Sequence, residues 1–168
     1  MRRLSFIGSI AAAAALLIAG CGGGSSNNSS SSTPAKSPSG SALVNSASTA
    51  SLGDLIVGPN GRTLYAFKKD TGAASACSGA CASEWPPLTT SGKLTSSGDV
   101  PMASLKTVKR DDGKLQVTFD GHPLYYFAGD SAPGQANGQG LDDFGASWWA
   151  LSPSGKEITS GGGPHGGY

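Results

Sequence analysis

The sequence predicts a small, mainly β domain: antiparallel sheets, arranged as a barrel or a sandwich, built from two pseudo-symmetric repeats with at most a short helix. Three observations lead there. The 168 residues include 26 Gly and are only 14% charged, a composition that disfavours long helices because Gly weakens helix interiors. Apolar and aromatic runs are separated by Asn-Gly and Asp-Gly pairs, the strongest short-range hairpin signal. Finally, the stretch Gly61-Arg62-Thr63-Leu64-Tyr65-Ala66-Phe67-Lys68-Lys69-Asp70 reappears at an offset of 60 as Gly121-His122-Pro123-Leu124-Tyr125-Tyr126-Phe127-Ala128-Gly129-Asp130, with five of ten positions identical. Two copies of one supersecondary unit bury a shared core by packing together.

The elements follow in order. Leu55-Ile56-Val57 runs through Pro59-Asn60-Gly61 into residues 63–67, a predicted hairpin. A short helix is predicted at residues 80–85, stopped by Pro86 and Pro87. Residues 105–110 and 115–119 flank Asp111-Asp112-Gly113, a second hairpin, and Asp120-Gly121 turns the chain into a strand at 124–127. Residues 148–151 form a further strand and 157–159 a short last one. Trp85-Pro86-Pro87-Leu88 matches Trp148-Trp149-Ala150-Leu151 at an offset of 63, so the second copy carries a three-residue insertion. The repeats are placed at about 55–102 and 115–152, within a β domain spanning 51–159.

Outside that domain the sequence reads as an address and a tether. Arg2 and Arg3 form a basic start, residues 4–19 an apolar stretch too short for the roughly 20 residues of a spanning helix, and Ile18-Ala19-Gly20-Cys21 resembles a bacterial lipobox. Residues 1–20 are therefore expected to be a lipoprotein signal peptide, with Cys21 lipidated and the chain exported and held to a bilayer by its acyl groups; two or more chains anchor stably. Residues 21–50 follow as a disordered tether, since 11 of the 29 residues after Cys21 are Ser and little apolar surface offsets the ordering entropy. Such a coil spans roughly 30 Å. Residues 160–168 read as a flexible tail.

The composition also excludes a function class. The formal charge is +1, and loss of Arg2 and Arg3 with the leader brings it to −1, which gives no basic face for phosphates and no expectation of a nucleic-acid partner.

Within the repeat, Tyr65 and Phe67 lie two apart on a strand and share a face, with Leu64 and Ala66 on the other; Tyr125 and Phe127 repeat the arrangement. Asp70 and Asp130 follow in turns, where a carboxylate can accept backbone N–H groups. Each Asp is expected to bond within its own turn or to its own tyrosine, since a buried phenol needs a partner. The scaffold reading is set against one in which these pairs form a ligand or electron-transfer site. These residues resemble the bacterial lipoproteins that carry a Tyr-x-(Phe/Trp/Tyr)-x-x-Asp motif, a secreted repeat of unknown function. Cys77-x-x-x-Cys81 before Trp85-Pro86-Pro87 is similar to that family's first copy, whereas the second copy has Asn137 opposite Cys77. The resemblance implies location and architecture rather than an activity.

Cys77 and Cys81 stand four apart, within bridging reach over one helical turn, and an exported chain predicts a disulfide between them. The alternative is a copper-binding or thiol-redox accessory role, with soft thiolates from Cys77 and Cys81 and an imidazole from His122 holding Cu(I). His165 lies in the tail, residues 134–140 lack the Lys-Ser/Thr ending of a phosphate loop, and Asp142-Asp143 has no EF-hand spacing. Trp85, Trp148 and Trp149 are expected in the core and at its rim, where an exposed face could stack on a ring. No catalytic constellation is recognised, so the expected function is a non-catalytic binding or structural module of the cell envelope, without cofactor and with a protein or small-molecule partner that the residues do not specify.

Overall fold

A computed structural model of the chain describes residues 41–160. The chain begins with β1 (Ser41–Thr49) and β2 (Gly53–Val57), an antiparallel hairpin, then β3 (Tyr65–Phe67) and the single-turn helix α1 (Ala80–Glu84). Two short strands follow, β4 (Thr89–Thr90) and β5 (Lys93–Ser96), then a 3-10 turn at Met102–Ser104 and the hairpin β6 (Leu105–Lys109) and β7 (Leu115–Phe119). The last strands are β8 (His122–Pro123), β9 (Asp142–Asp143) and β10 (Ala146–Ala150). They assemble into three small sheets, ordered β2-β1-β5, β3-β10-β9 and β4-β7-β6 with β8 beside β7. All pairings are antiparallel except β1 with β5. Among the described residues the sheets do not close into a barrel.

One boundary is corrected. Residues 41–49 of the predicted tether form the strand β1, which buries Ala42 and Val44 in alternation and pairs with β5 and β2. Serine-rich composition conceals that alternation. The stretch 1–40, including the leader and Cys21, lies outside the described residues, as does 161–168. The strand expected at 124–127 is reduced to bridges made by Tyr125, and that expected at 157–159 to a bridge between Leu151 and Glu157.

The predicted face assignment divides the core in two. Leu64 and Ala66 pack with Leu124, Ile56, Val117, Phe119, Leu88 and Leu151 in one cluster. Tyr65 and Phe67 pack with Tyr125, Trp85, Trp148 and both cysteines in the other, with Phe127 against it. The halves match closely. Ile56 N–H donates to Leu151 C=O at 2.9 Å and Val117 N–H to Leu88 C=O at 2.8 Å, so β6–β7 takes in the second half the place of β1–β2 in the first. Tyr65 and Tyr125 exchange both backbone hydrogen bonds, at 2.8 and 3.0 Å, which places the pseudo-two-fold axis between them.

Candidate functional site at the junction of the repeats

At this axis the repeated motif is assembled from both halves. The Tyr65 hydroxyl donates to Asp130 Oδ2 at 2.7 Å, and the Tyr125 hydroxyl to Asp70 Oδ2 at 2.8 Å. The expectation that each Asp serves its own tyrosine is therefore overturned: the partners are exchanged between repeats. The other half of that expectation holds, since Asp70 Oδ1 accepts Ala76 N–H at 2.7 Å and Asp130 Oδ1 accepts Asn137 N–H at 2.8 Å. The physical reason is the strand alternation. Each tyrosine points across the axis, whereas the chain turns back after Phe67 and Phe127 and carries each Asp to the opposite end.

The phenylalanine rings are exchanged in the same way. Phe67 stacks on Trp148 at 4.0 Å and Phe127 lies against Trp85 at 4.5 Å, while Trp85 and Trp148 stack on each other at 3.9 Å and 4°. Tyr65 meets Trp85 edge-on at 5.5 Å, and Tyr125 meets Trp148 edge-on at 5.2 Å. Edge contacts of this kind add about 0.5–1.5 kcal/mol per pair beyond burial. Both indoles donate to Asp143, Trp85 Nε1 to Oδ2 and Trp148 Nε1 to the carbonyl, each at 3.1 Å. Trp149, on the opposite face of β10, is half-buried.

Burial sets the electrostatics. It is the largest influence on Asp70 and Asp130 and raises both carboxyls above the ordinary range, against the turn N–H and tyrosine bonds that favour the charged form. Burial likewise pushes the Tyr65 and Tyr125 hydroxyls upward, with the facing carboxylates acting in the same direction. Tyr126 is pushed up to about 12 by burial.

The two ends differ. Asp130 is 1% exposed, and the Tyr65 hydroxyl accepts Gly138 N–H at 3.3 Å, so that pair is sealed by backbone. Tyr125 instead meets Ser75 Oγ at 2.7 Å, and Ser75 accepts from Arg110 Nη1, also at 2.7 Å. Arg110 further donates to Gln116 Oε1 at 2.6 Å and to Cys77 C=O at 2.7 Å, and Gln116 Nε2 donates to Leu124 C=O at 2.9 Å. Ser75, Cys77 and Arg110 line a cleft of about 190 Å³. The sequence offered no signal for this group. Arg110 sits at a hairpin end, where a charged residue is ordinarily solvated, and Gln116 is one of two polar residues in β7.

Cys77 and Cys81 form the expected disulfide, with Cα atoms 5.3 Å apart, buried against Trp85. The sulfurs that the copper reading needs are thus bonded to each other. His122 lies half-buried on β8, and among the described residues no group of three or more His, Cys, Asp or Glu is placed to hold a metal ion.

Comparison with known proteins agrees with the internal symmetry. Residues 46–89 and 106–152, together more than half of the chain, each match the model of one family, described as a secreted repeat of unknown function. Each match starts in or next to the first strand of a hairpin, earlier than the predicted repeat boundaries at 55 and 115. No curated protein and no solved structure matches the chain.

Proposed function

The chain belongs to the family of secreted repeats of unknown function, and from that premise we propose that it is a non-catalytic module of the cell envelope, held at a membrane surface by lipid on Cys21 and acting by binding or structural support. One observation carries this reading. The polar groups of the repeated motif are used on each other: both tyrosine hydroxyls and both oxygens of each aspartate hold the two halves and their turns together. A carboxylate so committed, with its pKa raised and its second oxygen tied to a turn, is a strut between repeats rather than a free acid or base. The anchor rests on the succession of basic start, apolar stretch and Ile18-Ala19-Gly20-Cys21 in the sequence. No helix among the described residues is long and apolar enough to cross a membrane.

The reading is tested in two parts. Cys21→Ser is expected to release the protein from membranes or to stall it as precursor, and an unmodified Cys21 in the intact mass of the wild type would refute the anchor. Asp70→Ala and Asp130→Ala are expected to lose comparable stability. A variant that keeps its melting temperature while losing a ligand or an activity would refute the scaffold role.

A further inference from the structure

We propose that the cleft beside the Cys77–Cys81 disulfide binds a small carboxylate, taken by the N–H groups of Arg110 that the protein leaves without a hydrogen-bond acceptor. The proposal rests on reading the domain as a module that acts by binding. It begins with an inventory. A guanidinium has five N–H donors. Arg110 spends three, on Ser75, Gln116 and the Cys77 carbonyl. One N–H of Nη2 and the Nε–H are left over, and Nε is buried without a hydrogen-bond partner. The Arg110 side chain is only 6% exposed, so water does little to compensate it, and an unmet buried donor on a charged group calls for an explanation.

The acceptors already present are all neutral: a hydroxyl, an amide and a carbonyl. The nearest counter-charge is Asp112, whose Oδ1 stands 3.8 Å from Nε, within ion-pair range but too far for a hydrogen bond. Asp112 is 45% exposed, accepts the Lys114 N–H on Oδ1 at 3.1 Å and faces the Lys114 ammonium at 3.6 Å, so its charge is shared between two cations. Asp70 is close enough for the guanidinium to favour its charged form, yet its oxygens are occupied by Ala76 N–H and the Tyr125 hydroxyl. A buried guanidinium with two unspent donors suits an acceptor with two oxygens in one plane, which a carboxylate supplies.

The cleft specifies the rest. Arg110 lines it together with Ser75, Cys77, Ala82, Val108 and Asp112. Cys77, Ala82 and Val108 give it apolar walls, and a volume of about 190 Å³ admits a short aliphatic group but not a nucleotide. The lining sets Lys109 and Arg110 against Asp111 and Asp112, a balance with no excess of positive charge for a multiply charged anion such as phosphate. Asp112 is then the group the ligand replaces.

Two contrasts sharpen the assignment. The other buried guanidinium nitrogen without a hydrogen-bond partner, Arg62 Nε, belongs to a group that lies over the Tyr126 ring at 5.1 Å, so that cation is already stabilised by the ring face. At the pseudo-equivalent end of the molecule, the Tyr65 hydroxyl is met by the Gly138 backbone N–H and Asp130 is 1% exposed. The duplication has thus left one end sealed and the other open to a cleft with unspent donors.

Sodium butyrate titrated into the purified ¹⁵N-labelled full chain at constant ionic strength tests this, with butyramide as the uncharged control and the Arg110 Nε–H resonance as readout. Butyrate is expected to shift that resonance saturably, and butyramide to leave it in place. Asp112→Asn removes the internal competitor and is expected to tighten butyrate binding several-fold, in a variant whose exposed site keeps the fold. Arg110→Lys is expected to abolish binding, read as loss of the saturable butyrate shift of the Ala82 and Val108 backbone amides that line the cleft. A non-saturating shift, an equal response to butyramide, or unchanged or weaker affinity in Asp112→Asn would overturn the site. A flat titration alongside comparable stability losses in Asp70→Ala and Asp130→Ala would remove the carboxylate site and leave the scaffold reading standing. An Asp variant that keeps its melting temperature would remove the wider reading whatever butyrate does.

Discussion

Tyr65 and Asp130 are joined by a 2.7 Å hydrogen bond across the junction of the repeats, 65 residues apart in the chain, and both are almost fully buried. Its symmetry mate joins Tyr125 to Asp70 at 2.8 Å. The two bonds lie on either side of a stacked Trp85–Trp148 pair, so each half completes the other's polar and aromatic contacts. This reciprocity means that neither tyrosine finds its carboxylate within its own repeat.

Replacing either aspartate therefore has a definite consequence. Asp130→Ala leaves the Tyr65 hydroxyl and the Asn137 N–H without their acceptor, and Asp70→Ala leaves the Ala76 N–H without its acceptor and the Tyr125 hydroxyl with Ser75 Oγ alone. Each is expected to cost about 1–3 kcal/mol in chemical denaturation. Pairing Tyr65→Phe with Asp130→Ala should cost less than the sum of the two single losses, whereas Tyr65→Phe with Asp70→Ala should be close to additive. The reverse pattern would contradict the exchange.

The raised carboxyls carry a pH signature. A group whose folded pKa lies above its unfolded value binds protons more tightly when folded, so its contribution is complete below the unfolded pKa of about 3.9 and is lost as pH rises through the folded pKa. The stability advantage of the wild type over Asp130→Asn should therefore shrink as pH rises from about 3 to about 7. An advantage that grows over this window would contradict the burial-driven shift.

The same sign governs the tyrosines at the alkaline end. Unfolded tyrosine ionises near pH 10, whereas Tyr65 and Tyr125 hold their protons well above that value in the fold. Stability should fall as pH rises beyond about 10, and the phenolate absorbance of these residues should appear only together with loss of the near-ultraviolet circular dichroism. Ionisation of Tyr65 and Tyr125 before unfolding would count against their burial.

The disulfide should matter modestly. It closes a short loop, worth about 2 kcal/mol in the chain-entropy view, and the backbone carbonyl that Arg110 uses survives a side-chain change. Cys77→Ala with Cys81→Ala is expected to lose about that amount and keep the fold. Alkylation without reduction should label neither sulfur.

Gly58 gives a steric test. A Cβ there would fall 2.0 Å from the Tyr126 hydroxyl oxygen and 2.7 Å from Cζ, so Gly58→Ala must displace a ring that packs on the core under Arg62. The expected loss is about 1–3 kcal/mol by denaturant unfolding, partly recovered when Tyr126→Leu is added.

What was legible in the sequence is what local chemistry dictates. Period-two alternation placed Tyr65 and Phe67 on one face and Leu64 and Ala66 on the other; Asn60-Gly61 and Asp120-Gly121 marked turns; Pro86-Pro87 ended α1; Cys77 and Cys81 stood within bridging reach. Each depends on a few neighbouring residues, so each survives without knowledge of the fold. The strand β1 was hidden because its serine-rich chain owes its order to pairing with β2 and β5, although Gly53-Asp54-Leu55 recurs as Gly113-Lys114-Leu115 at the same offset of 60 and marks a hairpin in both copies. Which aspartate serves which tyrosine, and that Asp143 receives both indoles, depended on contacts spanning 55–65 residues in the first case and on the meeting of the two halves in the second. Arg110 is the clearest case. By itself it is one basic residue at a hairpin end, and it became a buried cation with unspent donors only because the loop carrying Ser75 and Cys77 folds over it. Burial and long-range pairing are properties of the assembled chain, and only the tertiary structure could decide them.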